Sequence, residues 1–267
     1  VWNPFISAPV PFRYRNKTEF SFTFNRWKTR GEMDANPDSE HEPGLGFHVP
    51  GFWDKILDVQ DCHLIPDYGN EIRNALRDEA IALGLSFWQP RAKVGALRTA
   101  MLRSNQSGDW MLIIQWGEHP GADGFTLMHR MAERFDRLVS LYWGLNEKVN
   151  DSMYDVDLHL FHGIEALEET MESAIEGGRA LKFLISPKSF YQTNPQQAHR
   201  LYSEALRAAG LKGGETVYDL YTGTGTIALF MAQVAGKVVG VESVREAVDA
   251  AFRNAERNGI SNATFEA

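Results

Sequence analysis

Cysteine is nearly absent from this chain: Cys62 is the single one among 267 residues. That excludes an intrachain disulfide framework and any multi-cysteine metal site built from this chain alone. Long apolar runs are missing too. No stretch approaches the roughly 18 apolar residues of a membrane span, and the opening VWNPFISAPVPFRYRNK lacks the charged-then-apolar layout of a secretory leader. The expectation is a cytoplasmic protein without a membrane partner. Positive charge is in deficit: 27 Lys and Arg stand against 35 Asp and Glu, a net charge of -8, so a nucleic-acid partner needs a local basic patch. Internal repeats and low-complexity tracts are absent. Apolar residues, by contrast, make up 43% of the chain, enough for a substantial core, and the length exceeds one average domain. Two domains are expected, residues 1–182 and 183–267. The start at Val1 without a methionine and the stop just after NATFEA suggest a fragment.

In the first part, TEFSFTF sets Phe20, Phe22 and Phe24 at period two with polar residues between, the pattern of a strand with one buried face. VGALRTAMLR from Val94 and DWMLIIQW from Asp109 flank SNQSG, whose Ser, Asn and Gly supply turn chemistry for a hairpin. Helical spacing marks NEIRNALRDEAIALG from Asn70 and LMHRMAERFDRLVSLYWG from Leu127. IEALEETMESAIEGG from Ile164 reads as a further, acidic helix that ends in paired glycines. Without regular alternation of strand and helix, the part reads as α+β.

Beyond FLISPKSFYQTN the signals change. Asn194 before Pro195 makes an N-cap with proline at the first helical position, and Gly210 closes the helix PQQAHRLYSEALRAAG. A buried strand, ETVYDLY, leads into the turn DLYTGTGTIA and a helix over TIALFMAQVAG. KVVGVE is a second strand with Glu242 at its tip. Ser243 with Glu246 reads as a capping box on VREAVDAAFRNAERNG, which Gly259 ends, and a third strand begins at ATFEA. This is the first half of a doubly wound parallel sheet, a partial Rossmann-like α/β domain.

The turn poses the functional question. Gly223, Gly225 and Ala228 fit the G-x-G-x-x-A form of a dinucleotide fingerprint, although such turns also serve only to join strand and helix. Glu242, 17 positions after Gly225, can accept both ribose hydroxyls of a nucleoside, a task shared by NAD and S-adenosylmethionine sites. Charge separates the two. A pyrophosphate over the turn is doubly negative, and Asp219 opposes it unless turned away. S-adenosylmethionine carries an ammonium, a sulfonium and one carboxylate, so an acidic neighbour suits it while backbone N–H groups take the carboxylate. The sulfonium ligand is favoured. The alternative for Asp219 is a strand-end residue that bonds the loop's own amides.

SFYQTNPQQAHRLYSEALRAAGLKGGETVYDLYTGTGTIALF followed by VVGVESVREAVDAAFRNAERNGISN resembles the cofactor-binding half of the RNA uracil-5-methyltransferases, which make 5-methyluridine in ribosomal and transfer RNA. The resemblance joins an F-x-Q-x-N element, a D-L-Y-x-G-x-G-T turn and a V-E strand end in order. It implies a Rossmann-like, S-adenosylmethionine-dependent methyltransferase domain behind an RNA-facing central domain, with ribosomal RNA the preferred substrate. Gln192, Tyr221, Thr226 and Glu242 match the family's cofactor contacts. Gln192 would reach the methionine end, Tyr221 lies in the turn, Thr226 starts the helix and Glu242 takes the ribose. Read alone, Gln192 is a loop hydrogen-bonder and Tyr221 a core aromatic.

YRNKTEFSF from Tyr14, LGFHVPGFWDKILDVQDCHLIP from Leu45 and NEKVND from Asn146 are similar to segments of the family's central domain. Arg13, Arg15 and Lys17, interleaved with Phe12 and Tyr14, suit RNA phosphate contacts and base stacking, or are a solvated strand edge. Cys62 matches the position where some members place the last ligand of a 4Fe-4S cluster, whose other three cysteines lie upstream; those three are absent here, so either they belong to a missing N-terminal segment of a full-length parent or Cys62 is a small buried hydrophobe. His63 beside it reads as a surface or capping residue. The family mechanism adds a cysteine thiolate to carbon 6 of uracil, methylates carbon 5 from the sulfonium, then removes the carbon-5 proton with a base and expels the cysteine. The resemblance implies that nucleophile and base lie beyond residue 267, so this chain alone is expected to be inactive. Two other classes stay open: an NAD-dependent oxidoreductase and a non-catalytic RNA-binding protein.

Overall fold

The computed structural model describes residues 5–37 and 41–267. The first four residues of the leader reading fall outside them. The chain divides into two compact units: a first, of Arg15–Ser104 and Gly108–Glu165, and a second, of Val1–Tyr14, Asn105–Ser107 and Ala166–Ala267. Residues 166–182 thus cluster with the second unit. Among the described residues no helix is long and apolar enough to cross a membrane.

The first unit runs β1 (Lys17–Thr23), α1 (Arg30–Ala35), β2 (Gly44–His48), β3 (Ile56–Asp58), α2 (Asp67–Ala82), β4 (Leu97–Ser104), β5 (Trp110–Trp116), α3 (Gly121–Arg134), β6 (Leu138–Leu145) and β7 (Leu158–Gly163). Its sheet has the order β3-β2-β1-β4-β5-β6-β7. Phe20 and Phe22 are buried, as their period-two spacing requires, and Phe20 pairs with Ala100 of β4. The expected hairpin forms, with Ser104 opposite Trp110. Ile72 and Leu76 of α2 and Leu127, Met128 and Met131 of α3 close one core with Leu102, Leu112, Ile114 and Trp116. Each fully buried Leu, Ile or Phe contributes about 2 kcal/mol by leaving water.

Two helix expectations are corrected in chain order. The pattern from Leu127 to Gly144 is not one helix: α3 stops at Arg134, and Leu138–Leu145 is strand β6, paired in parallel with β5. Parallel neighbours need a crossover, and α3 supplies it. The apolar residues of LVSLYW therefore pack on both faces of a central strand, which periodicity alone cannot distinguish from helix. Likewise, IEALEETMESAIEGG is not a helix.

The second unit instead places Leu167–Met171 there as β8, paired antiparallel with β9 (Leu181–Ile185). Leu167, Glu169 and Met171 point inward. A buried glutamate in the middle of the triplet hides the period-two pattern. Next come α4 (Pro195–Ala209), β10 (Thr216–Leu220), α5 (Thr226–Ala232), β11 (Lys237–Val241), α6 (Arg245–Arg257) and β12 (Ala263–Glu266). Strands β10, β11 and β12 form a parallel sheet in that order. Helix α4 starts as expected: the Asn194 side chain accepts from the Gln197 amide at 3.0 Å, with Pro195 at the first turn, and Gly210 closes it in the left-handed region. Strand β10, expected to be buried, lies at the sheet edge with Tyr218 and Leu220 exposed.

Candidate functional site

The site is built where β10 ends. Tyr221, Gly223 and Gly225 all take positive φ, at 63°, 56° and 82°. The two glycines differ in what surrounds them. A Cβ on Gly225 would meet Ala251 Cβ at 3.0 Å and the Phe265 ring at 3.2 Å, so this glycine lets the turn pack against α6 and β12. A Cβ on Gly223 would meet nothing within 4 Å. Gly225 is there for packing, and Gly223 keeps one side of the turn open.

Two carboxylates hold that shape. Asp219, at the end of β10, accepts from Thr222 Oγ1 at 2.7 Å and from the Ala228 amide at 3.0 Å. Both bonds fall on Oδ2. The reading of Asp219 as a strand-end residue that bonds the loop's own donors therefore describes its geometry. Burial raises its pKa above the usual carboxylate value, and the two hydrogen bonds oppose that rise. Glu242, just past β11, accepts from the Gly223 amide at 3.0 Å through Oε2 and from the Val244 amide at 3.0 Å through Oε1. Ser243 Oγ donates to the same carboxylate at 3.3 Å. Here the expected capping box is corrected: α6 has Val244 at its N-cap and no side-chain cap bond. The adjacent Glu242 carboxylate instead takes the Ser243 hydroxyl and the Val244 amide.

Tyr221 is 89% exposed, which corrects its reading as a core aromatic. Thr226 opens α5 behind Gly225. Tyr202 of α4 is buried, and burial pushes its phenol up to about 12, a rise that Gln192 opposes and Asp219 adds to. The structure thus brings Gln192, Asp219, Gly223 and Glu242 into one region of the second unit. Two residues that the sequence reading passed over support it. Asn254 of α6 donates to the Thr224 carbonyl at 3.0 Å and accepts from the Leu184 amide at 3.0 Å, tying turn to β9. It stands on the inward stripe of Val248, Ala251 and Ala255, so a polar residue on an apolar face was the available signal. Tyr202 is the other.

These residues fit an adenosyl ligand on the structure's own terms. Thr224 Oγ1, within the turn, is buried without a hydrogen-bond partner among the described residues. Gly223 leaves room, and Glu242 presents an oxygen, Oε2, bonded to a backbone amide that a ligand hydroxyl can replace.

The remaining candidates lie elsewhere. Arg13, at φ 58°, belongs to the second unit, and Arg15 and Lys17 to the first. Arg15 Nε donates to the Lys17 carbonyl at 2.8 Å. Lys17 faces Arg103 across the strand pair, and burial first, then that guanidinium, lowers its pKa. Cys62 is buried in the first unit's core, its amide bonded to Asn70 Oδ1 at 2.9 Å. Among the described residues no group of three or more His, Cys, Asp or Glu could hold a metal ion.

Comparison with known proteins agrees with this geometry. A family model described as a methyltransferase domain matches residues 211–267. An uncharacterized RNA methyltransferase of Bacteroides thetaiotaomicron is 41% identical over 99% of this chain and 58% of its own length. Another, from Chlorobaculum tepidum, is 33% identical over 98% of this chain and 53% of its own. Over nearly its whole length the chain is thus similar to proteins of the RNA methyltransferase family. It spans little more than half the length of these family members. Among solved structures, the tRNA (uracil-54, C5)-methyltransferase of Pyrococcus abyssi, in complex with S-adenosyl-L-homocysteine, aligns over 97% of this chain and 56% of its own. Its TM-score is 0.73 at 26% identity. The family's mixed α/β architecture therefore extends across both units.

Proposed function

We propose that this chain carries the methyl-donor site of an RNA uracil-5-methyltransferase. The observation that carries the reading is the glycine turn, open at Gly223 and flanked by Asp219 and Glu242. Glu242 would take the ribose hydroxyls and release Gly223. Asp219 would offer its Oδ1 edge to the cationic methionine end, beside Gln192, while Tyr221 and Thr226 line the turn. The ligand, once bound, supplies an electrophilic methyl group on a sulfonium. A pyrophosphate ligand has no such use for Asp219, which sets the oxidoreductase alternative aside.

Arg13, Arg15 and Lys17 are proposed RNA contacts. Ribosomal RNA remains the preferred substrate from the sequence resemblance; a transfer-RNA substrate is the second reading, favoured by the named substrate of the Pyrococcus relative. Carbon 5 of uracil needs a nucleophile at carbon 6 before it attacks a methyl group. Cys62 is 7% exposed in the core of the first unit and is no candidate for that role. The 267-residue chain alone is therefore expected to methylate no RNA. Detectable turnover by it would refute this. For the donor site, thermal denaturation decides: S-adenosylhomocysteine at about 100 times its Kd should stabilise the chain by about 2.7 kcal/mol, and NAD should leave it unchanged. Stabilisation by NAD alone would overturn the reading.

A further inference from the structure

The first unit carries a pair of aromatic rings that the methyl-donor reading leaves unused. Strands β2 and β3 form a hairpin in which His48 pairs with Ile56. Within its loop, Pro50 and Gly51, the latter at φ 82°, are the centre of a turn closed by the Phe52 amide on the Val49 carbonyl at 2.9 Å. The Val49 amide on the Lys55 carbonyl, also at 2.9 Å, shuts the loop at its base. Phe52 and Trp53 stand out from this closed loop, 50% and 64% exposed. Both rings are nonetheless held by neighbours. Phe52 lies against the Trp27 ring at a centroid distance of 5.6 Å, and the Arg91 guanidinium sits 5.9 Å from the centre of the Trp53 ring. Asp54 fixes Arg91 in turn, accepting from its Nε at 2.7 Å.

Rings that are exposed yet held add little to a core and lose little freedom when they meet a partner. Charge selects that partner. Lys55, on the same loop, and Arg91 line a cleft of about 340 Å³ together with Phe24, Gln89 and Pro90. Of the three charged residues along it, Lys55 and Arg91 are cations, and the carboxylate of the third, Asp54, is engaged by Arg91. A net positive cleft beside aromatic faces, in a chain of net charge -8, matches a polyanion with exposed rings. Single-stranded RNA has both: unpaired bases stack on aromatic side chains and cations hold the phosphates. We propose that the β2–β3 loop is a stacking platform for unpaired nucleotides of an RNA substrate, with Trp53 and Phe52 taking base faces and Lys55 a phosphate. The inference rests on the reading of the chain as RNA-directed and deepens it by naming the form of RNA this surface takes.

Fluorescence anisotropy with two labelled RNAs tests it: an oligouridylate of about 12 nucleotides, within the span of single-strand sites, and a blunt duplex of the same length. Trp53→Ala should weaken the single strand roughly tenfold and the duplex by less than about twofold, because paired bases are already stacked on one another. Trp53→Phe, which keeps a ring, should return single-strand affinity to within about threefold of wild type. Lys55→Gln should flatten the dependence of log K on log salt for the single strand by about 0.7, whereas Trp53→Ala should leave that slope unchanged. Melting temperatures, expected to match wild type at these exposed positions, exclude a folding defect. Equal weakening of both RNAs by Trp53→Ala, or wild-type single-strand affinity in that variant, would overturn the proposal and leave the RNA reading standing. If the unaltered chain binds neither RNA, that reading fails and this inference with it. Should Trp53→Ala instead dissolve a dimer seen by sedimentation, with RNA affinity unchanged, the loop is a contact between copies of the chain and the proposal falls.

Discussion

Both units bury polar groups, and they use them differently. In the first, Arg98 is 1% exposed, stacks over the Trp88 ring at 4.1 Å, and donates to the carbonyls of Asn146 and Lys148 at 2.6 Å each. It also pairs with Asp151 at 2.5 Å. Arg73, fully buried, pairs with Asp58, which Arg77 reaches at 2.5 Å. These guanidiniums spend their donors on the chain's own carbonyls and carboxylates, and fix the 146–151 loop and the β3 edge. In the second unit, the Asp219 and Glu242 carboxylates instead hold backbone amides of a turn with an open side. A buried cation closed by several acceptors is structural. An acidic pair holding exchangeable amides beside open space is suited to a ligand.

The largest effect should come from breaking a first-unit pair. Arg73→Met leaves Asp58 buried without one of its two cations and should cost about 3 kcal/mol or more. Six of the seven tryptophans belong to the first unit, so denaturant unfolding followed by tryptophan fluorescence reports on it. A loss under about 1 kcal/mol would mean that the pair is not the structural device described.

Next, the two turn glycines should separate stability from binding. Gly225→Ala must adopt φ 82° and push against Ala251 and Phe265, for a cost of about 2 kcal/mol or more. Gly223→Ala carries only the backbone penalty of about 1 kcal/mol, yet should be the one that impairs S-adenosylhomocysteine binding in proportion to the ligand room it fills. Equal stability losses would erase the distinction drawn between them.

Legibility followed the same divide. The turn, its two acidic residues and the Asn194 cap were readable because each rests on residues close in sequence. Strand β8 was not, since Glu169 sits inside where alternation demands an apolar residue. Nor was the strand in Leu138–Leu145, whose two buried faces remove any alternation. The partners named for Arg73, Arg98 and Asn254 lie between 15 and 70 residues away in the chain, and nothing local announces such pairings.

A smaller effect should come from pH. Burial raises the folded-state pKa of Asp219, so its ionisation opposes folding: the associated stability is present in acid and lost as pH rises through that raised pKa. The melting temperature of wild type relative to Asp219→Asn should therefore improve as pH falls from about 7 to about 4. Over the same window wild-type affinity for S-adenosylhomocysteine should fall severalfold, because the proton removes the charge that faces the ligand's cationic end. Affinity in Asp219→Asn should stay flat across it. A pH-independent wild type would contradict both halves.

The central claim is that the second unit's turn, through Glu242, is a seat for an adenosyl methyl donor. Titration calorimetry of S-adenosylhomocysteine into the chain and into Glu242→Ala tests it most directly. Measurable binding by the chain, weakened at least tenfold by the substitution, or about 1.4 kcal/mol, is the expected result. Tight binding that Glu242→Ala leaves unchanged would contradict the account.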